Sequence, residues 1–286
     1  MALSVGRFFI CCWAFFCKDA LSLMTAYRAI LSARFRMLLQ YRAAAFAGLV
    51  TQLFWGLIRV MIFTAFYHSS TAAQPMAYEE VRTYIWLGQA MLAMLPWNVD
   101  AEIRQMVRTG GVAYELLRPL DLYLLWFSRA LAWRMAPTLL RAVPLFTIAW
   151  LFFGLQLPAT WMAAAGWMLA TLLAILLSSA ISTLQNISLL WTIAGEGIAN
   201  LTFAGVLVFS GMVVPLPLFP DWAQPVIKLL PFRGLCDVPF RIYAGHIPPS
   251  EYWREMVQQL AWIFGLIILG RWVLSRGMRR LVVQGG

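Results

Sequence analysis

Charge is what this chain has least of. Only 12% of its 286 residues are Asp, Glu, Lys or Arg, about half of the roughly 25% with which a globular domain solvates its surface. That shortage excludes an ordinary water-soluble fold. Lysine is nearly missing: Lys18 and Lys228 stand outside any glycine-rich loop, and Gly-x-x-x-x-Gly-Lys-Ser/Thr does not occur. The chain therefore carries no phosphate-cradling loop of its own for nucleotide hydrolysis. Histidine is limited to His68 and His246, without His-x-x-x-His or Cys-x-x-Cys spacing, so no metal centre is expected. Of the four cysteines, Cys11, Cys12 and Cys17 crowd one apolar run and Cys236 stands alone, which is no disulfide framework. Neither an internal repeat nor a low-complexity tract is visible.

What is present is hydrophobic: 62% of the residues. The composition is that of an integral membrane protein whose solvent is the lipid bilayer. A net charge of +10 could suggest nucleic acid, but the 20 arginines among the 22 basic residues are scattered between apolar spans. That scatter is a topology signal, and no nucleic-acid partner is expected.

Residues 1–23 hold an apolar run, Phe8 to Cys17, that is too short to span a bilayer. They read as an N-terminal extension: an interfacial tail, or residues upstream of a true start at Met24. Residues 24–286 read as a single membrane domain. From Tyr27 to Arg42, four arginines (Arg28, Arg34, Arg36, Arg42) alternate with Ile30, Leu31, Phe35, Leu38 and Leu39, the pattern of an amphipathic helix lying in the interface.

The spacing then predicts an all-α membrane protein with six transmembrane helices: Ala44 to Tyr67, Thr83 to Val99, Ala136 to Leu155, Trp161 to Leu184, Ile198 to Val214 and Tyr252 to Leu274. The first is about 36 Å long at 1.5 Å per residue, enough to cross with some tilt. Gly48, Gln52, Gly56 and Arg59 share one side of it. An arginine is costly in lipid, so this face is expected to meet protein or water, as a translocation path or subunit interface. Ser178, Ser182, Gln185 and Asn186 form a polar stripe on span four, with the same expectation. Eight of the fourteen prolines fall between Pro215 and Pro249, a density that forbids one straight helix and suggests a re-entrant outer segment between spans five and six. Counting Lys and Arg by segment puts sixteen of twenty-two on the side of the termini and of Arg104 to Arg141. Both termini are then cytoplasmic.

Between the second and third spans lies a charged island, Glu102 to Asp121. Arg104, Arg108 and Arg118 with Glu102, Glu115 and Asp121 frame Gly110-Gly111, which frees the backbone for a sharp turn. A short amphipathic helix is expected before the turn and another from Val112 to Leu117, stopped by Pro119. The island reads as a docking surface. Asp100, Glu102 and Glu115 lack the histidine or serine that catalytic carboxylates would need, and they read as solvated loop charges. Glu196, between Gly195 and Gly197, reads as an acid in a turn at the interface, stabilised near a helix N-terminus. The alternative to a docking protein is an ATP-independent carrier or channel using Arg59 and Glu196.

The run Ile103-Arg104, then Thr109-Gly110-Gly111-Val112-Ala113-Tyr114-Glu115-Leu116-Leu117-Arg118-Pro119-Leu120-Asp121, then Trp126-Phe127-Ser128-Arg129-Ala130, resembles the loop between spans two and three of ABC-2 type transporter permeases. The match is specific in that loop and topological elsewhere, from about Met24 onward. The resemblance implies an export permease in a bacterial cytoplasmic membrane, pairing with a second similar permease subunit as a homodimer or heterodimer. It also implies a separate ABC ATPase subunit that carries ATP and Mg and grips this loop as a coupling element. Arg104, Arg108, Gly110, Gly111, Glu115, Arg118 and Asp121 would form the ATPase-coupling loop, with no cofactor on this chain.

Overall fold

A computed structural model describes residues 24–40, 42–70, 74–192 and 195–279, and every regular element among them is helical. The extension at residues 1–23 lies outside the described residues. Residues 24–39 are helical, α1, with Ile30, Leu31, Phe35, Leu38 and Leu39 half-buried and Arg28 and Arg36 exposed. This is the arrangement expected of an interfacial amphipathic helix.

Four helices are long and apolar enough to cross a membrane: α2 (Arg42–Ser69), α6 (Leu122–Phe152), α7 (Trp161–Thr192) and α11 (Tyr252–Met278), the last extended by a 3₁₀ turn from Pro249. Helix α7 is the most buried of them and packs against α6 and α11. In α6 the helix runs unbroken through Pro137 and Pro144, so it begins fourteen residues before the expected start of span three at Ala136. Neighbouring helices can support the backbone that a proline leaves unbonded in a membrane helix.

The expected second span is a different object. Its helix, α3, is only Tyr78–Ala90, about 20 Å by rise, and is followed by a 3₁₀ turn (Leu92–Met94) and extended backbone to Asp100. From Val81 to Ala90 every residue of α3 except Arg82 is buried within the chain. The remaining helices are α4 (Ala101–Arg108), α5 (Val112–Leu116), α8 (Glu196–Phe209), α9 (Gln224–Leu229) and α10 (Asp237–Tyr243). Helix α8 is apolar but shorter than the four long helices, at 14 residues.

The proline-rich stretch folds as two short helices and three 3₁₀ turns knitted onto the long helices by polar contacts. Buried Asp237 accepts from Arg233 at 3.2 Å and from the Tyr84 hydroxyl of α3 at 3.2 Å. Arg233 also bonds Glu255 of α11 at 2.8 Å. Gln259 of α11 donates to the carbonyls of Gly234 (2.8 Å) and Ala170 (3.1 Å).

Candidate functional site

The charged island folds as a helical hairpin. Asp100 caps α4, its Oδ1 accepting from the backbone N–H groups of Glu102 (2.9 Å) and Ile103 (3.3 Å). A carboxylate there satisfies orphan N–H groups and meets the positive end of the helix. The turn follows, with Gly110 at φ +75° and no atom within 4 Å of where a Cβ would stand. Gly111 is right-handed, at φ −61°. Only Gly110 therefore requires glycine, which corrects the expectation that both members of the pair serve the turn. Asp121 caps α6 by accepting from Leu124 N–H at 2.8 Å and pairs with Arg271 at 3.5 Å.

The organising residue is one the sequence reading did not single out as a site. Arg129 of α6, only 8% exposed, pairs with Glu102 (2.9 Å), Asp100 (3.2 Å) and Glu115 (3.6 Å). Those acids belong to the cap of α4, to α4 and to α5, so one guanidinium clamps the whole hairpin to a long helix. Glu102 also pairs with Arg34 of α1. Burial works against the Glu102 charge, but the Arg34 hydrogen bond and the charges of Arg129 and Arg34 outweigh it and hold the carboxyl below its ordinary range. The Tyr27 hydroxyl of α1 accepts from Asp121 N–H at 2.8 Å.

Glu115 is buried and accepts from Trp126 Nε1 at 2.7 Å. Its place is under the hairpin and not on its exposed face, whereas Asp121 caps a helix and remains exposed. Asp100, Glu102 and Glu115 are likewise clamp partners, not freely solvated loop charges. Arg104 is half-buried, reaching Glu196 of α8 at 4.0 Å. Exposed at the tip are Arg108, Gly110, Tyr114, Leu116, Leu117 and Arg118: a basic and apolar surface with its acids turned inward. Gly195 is left-handed at φ +66° and Glu196 is exposed in the first turn of α8, as read from the flanking glycines.

The two polar stripes are used inside the chain. Gly48 lies beneath the Arg141 guanidinium and Gly56 beneath the Trp86 ring. Gln52 is buried, and Arg59 donates to the carbonyls of Met212 and of Val213 (2.5 Å), just past α8. On α7, Ser178 donates to the Met94 carbonyl, Gln185 to that of Pro96 (3.4 Å), and Asn186 Oδ1 accepts from Asp100 N–H (3.0 Å). Ser182 accepts from Arg134 at 2.7 Å, and Arg134 also donates to the Leu95 carbonyl at 2.6 Å. These residues satisfy the unwound backbone between α3 and α4, which lipid could not. Gly56, Arg59, Ser182, Gln185 and Asn186 thus make contacts within their own chain, while the buried Gln52 amide has no hydrogen-bond partner among the described residues, and Ser182 and Asn186 also line a cavity. Arg59 and Glu196 make separate contacts and form no joint site.

The signal that could have found Arg129 was present. Three arginines enter a membrane helix at Arg129, Arg134 and Arg141, and buried guanidinium groups require partners. Among the described residues no cluster of His, Cys, Asp and Glu is arranged to hold a metal ion.

Comparison with curated proteins found no significant match to this chain. A family model described as ABC-2 family transporter protein matches residues 53–285, which takes in the clamped hairpin, the long helices and the proline-rich segment. The chain belongs to the ABC-2 family of transporter proteins and is a membrane component of that transport machinery.

Proposed function

We propose that this chain is the permease subunit of an ATP-driven exporter, powered by a separate ABC ATPase that carries ATP and Mg, and paired with a second permease subunit, identical or similar. In this reading residues 24–286 form one membrane domain that crosses six times, through α2, α3 with its unwound continuation, α6, α7, α8 and α11. Residues 215–249 re-enter from the outer side. Both termini and the α4–α5 hairpin face the cytoplasm of a bacterial cell, where the arginine excess lies.

The observation that carries the proposal is the construction of the hairpin. Its outer surface is a basic and apolar patch (Arg108, Tyr114, Leu117, Arg118), and its inner acids are locked by Arg129 to α6. A partner that pushes on this tip moves a membrane helix with it. Rigid attachment to a long helix is what a coupling element needs in order to transmit work instead of bending.

Arg108→Glu tests it. Reversing one exposed charge leaves the clamp intact, while like-charge juxtaposition at an interface costs on the order of several kcal/mol. Co-purification with a Walker-containing ATPase should fall sharply, with unchanged expression of the chain. Full assembly and full ATP-driven transport by Arg108→Glu would sink the coupling role. An introduced cysteine at Gly110 that reacts with an impermeant reagent in intact cells would reverse the orientation.

A further inference from the structure

A cavity of about 530 Å³ opens between α1, α4, α6 and α7, lined by Arg34, Arg104, Arg129 and Arg134, by the acids Asp100 and Glu102, and by Trp133 among others. Its cations differ in how they are neutralised. Arg34 pairs with Glu102, Arg129 has three carboxylates, and Arg104 reaches Glu196. Arg134 is 4% exposed, and among the described residues it has no acid within ion-pair distance. Its two terminal nitrogens donate to neutral oxygens, those of Leu95 and Ser182, and its buried Nε has no partner. Asp100 on the same wall acts on Arg134 only from beyond ion-pair distance and is itself paired with Arg129. A buried guanidinium with no ion pair of its own is unfavourable, and a bound anion would complete this arrangement.

Seven residues on, two turns along the same face of α6 and about 10.5 Å farther along the helix, stands Arg141, beyond the residues that line the cavity. It makes no ion pair or hydrogen bond among the described residues, its Nε is buried and unpartnered, and it lies over Gly48 of α2, where an added Cβ would collide with it. Trp133, half exposed, sits at the cavity wall beside the interfacial helix α1. An indole at that level suits a boundary between headgroups and acyl chains.

We propose that this cavity binds the anionic headgroup, phosphate or carboxylate, of a membrane amphiphile, with Arg134 as its counter-charge and Arg141 as a second station along α6. The aliphatic part stays in lipid past Trp133. This names the substrate class for the permease reading and rests on it for the direction of movement; the binding step itself is measurable without transport.

The test is competitive retention on the purified full chain, measured by native mass spectrometry with equimolar phosphatidylglycerol and phosphatidylcholine. A charge-assisted hydrogen bond gained in a buried site corresponds to about tenfold preference for the anionic lipid. Arg134→Gln should bring the ratio close to one. Ala130→Phe, which fills the cavity and leaves the Arg134 bonds in place, should do the same. Arg141→Gln breaks no bond among the described residues and should lower the ratio in part. Arg276→Gln, at an exposed arginine lying over Trp272, should leave it unchanged. Equal retention of both lipids by the unaltered chain overturns the proposal, and so does a preference that survives both Arg134→Gln and Ala130→Phe. Displacement of phosphatidylglycerol by millimolar inorganic phosphate overturns the amphiphile in favour of a free anion. None of these outcomes touches ATPase co-purification, so failure here leaves the permease reading standing.

Discussion

Removing Arg129 should do two separable things. In Arg129→Gln, three carboxylates lose one cation, and they do not lose it equally. Glu102 is about half exposed and Asp100 about a quarter, so water and Arg34 compensate most of their share, on the order of 0.2–1 kcal/mol each. Glu115 is different, being 7% exposed at its side chain and 3.6 Å from Arg129. At an effective dielectric constant near 20 that pair is worth about 4.6 kcal/mol before desolvation, and breaking such a buried pair from one side costs roughly 3–5 kcal/mol. The bond from Trp126 Nε1 remains, so about 3 kcal/mol is expected, nearly all of it through Glu115. The assay is thermal unfolding of the purified full chain for Arg129→Gln, Glu115→Gln and the pair. The double variant should recover at least half of the loss, since removing both charges leaves nothing unpaired. In assembled complexes the same Arg129→Gln should keep its ATPase, because Arg108 and Arg118 are untouched, yet lose ATP-driven transport. A single variant as stable as the unaltered chain, with transport intact, would refute the clamp.

Glu102 gives a pH dependence of definite sign. Its folded pKa is depressed, so the α1–α4 tether is fully present above the ordinary carboxyl value of about 4.3 and is lost as pH falls through the lower folded value. The distance between spin labels at Ile30 and Gln105 should lengthen only in that acid range, and Glu102→Gln should remove the transition. Arg59→Leu strips the carbonyls of Met212 and Val213 of a charged donor worth about 1.5–3 kcal/mol. Hydrogen exchange at residues 210–215 should accelerate without change at α4, and unchanged exchange there would refute the cap. At the hairpin tip, Gly110→Val should cost about 1–2 kcal/mol through its left-handed backbone and weaken coupling, whereas Gly111→Val should be tolerated. Co-purified ATPase and transport rate measure both, and equal effects would contradict the turn.

The sequence alone determined the class of the protein, because the class depends on quantities that a chain carries without folding. Scarce charge and long apolar runs dictate a helical membrane protein. Local signals were equally legible: α1 from its alternating arginines, the hairpin from Gly110 and Pro119, α5 to within one residue, and the turn before α8 from Gly195. Each rests on neighbours within one or two helical turns. What tertiary structure decided is which polar groups meet. Arg129 and Glu115 are fourteen residues apart, Arg134 and Ser182 forty-eight, and Arg59 and Met212 over one hundred and fifty. Hydropathy marks such residues as out of place in lipid but does not say what satisfies them, so an inward acid such as Glu115 and an outward arginine such as Arg118 look alike in one dimension. The stretch expected as a second span shows the same limit. Thr83 to Val99 is apolar enough for a helix, yet its second half is unwound, because Ser178, Gln185 and Arg134 supply bonds to its backbone that a lone segment in hydrocarbon could obtain only by remaining helical.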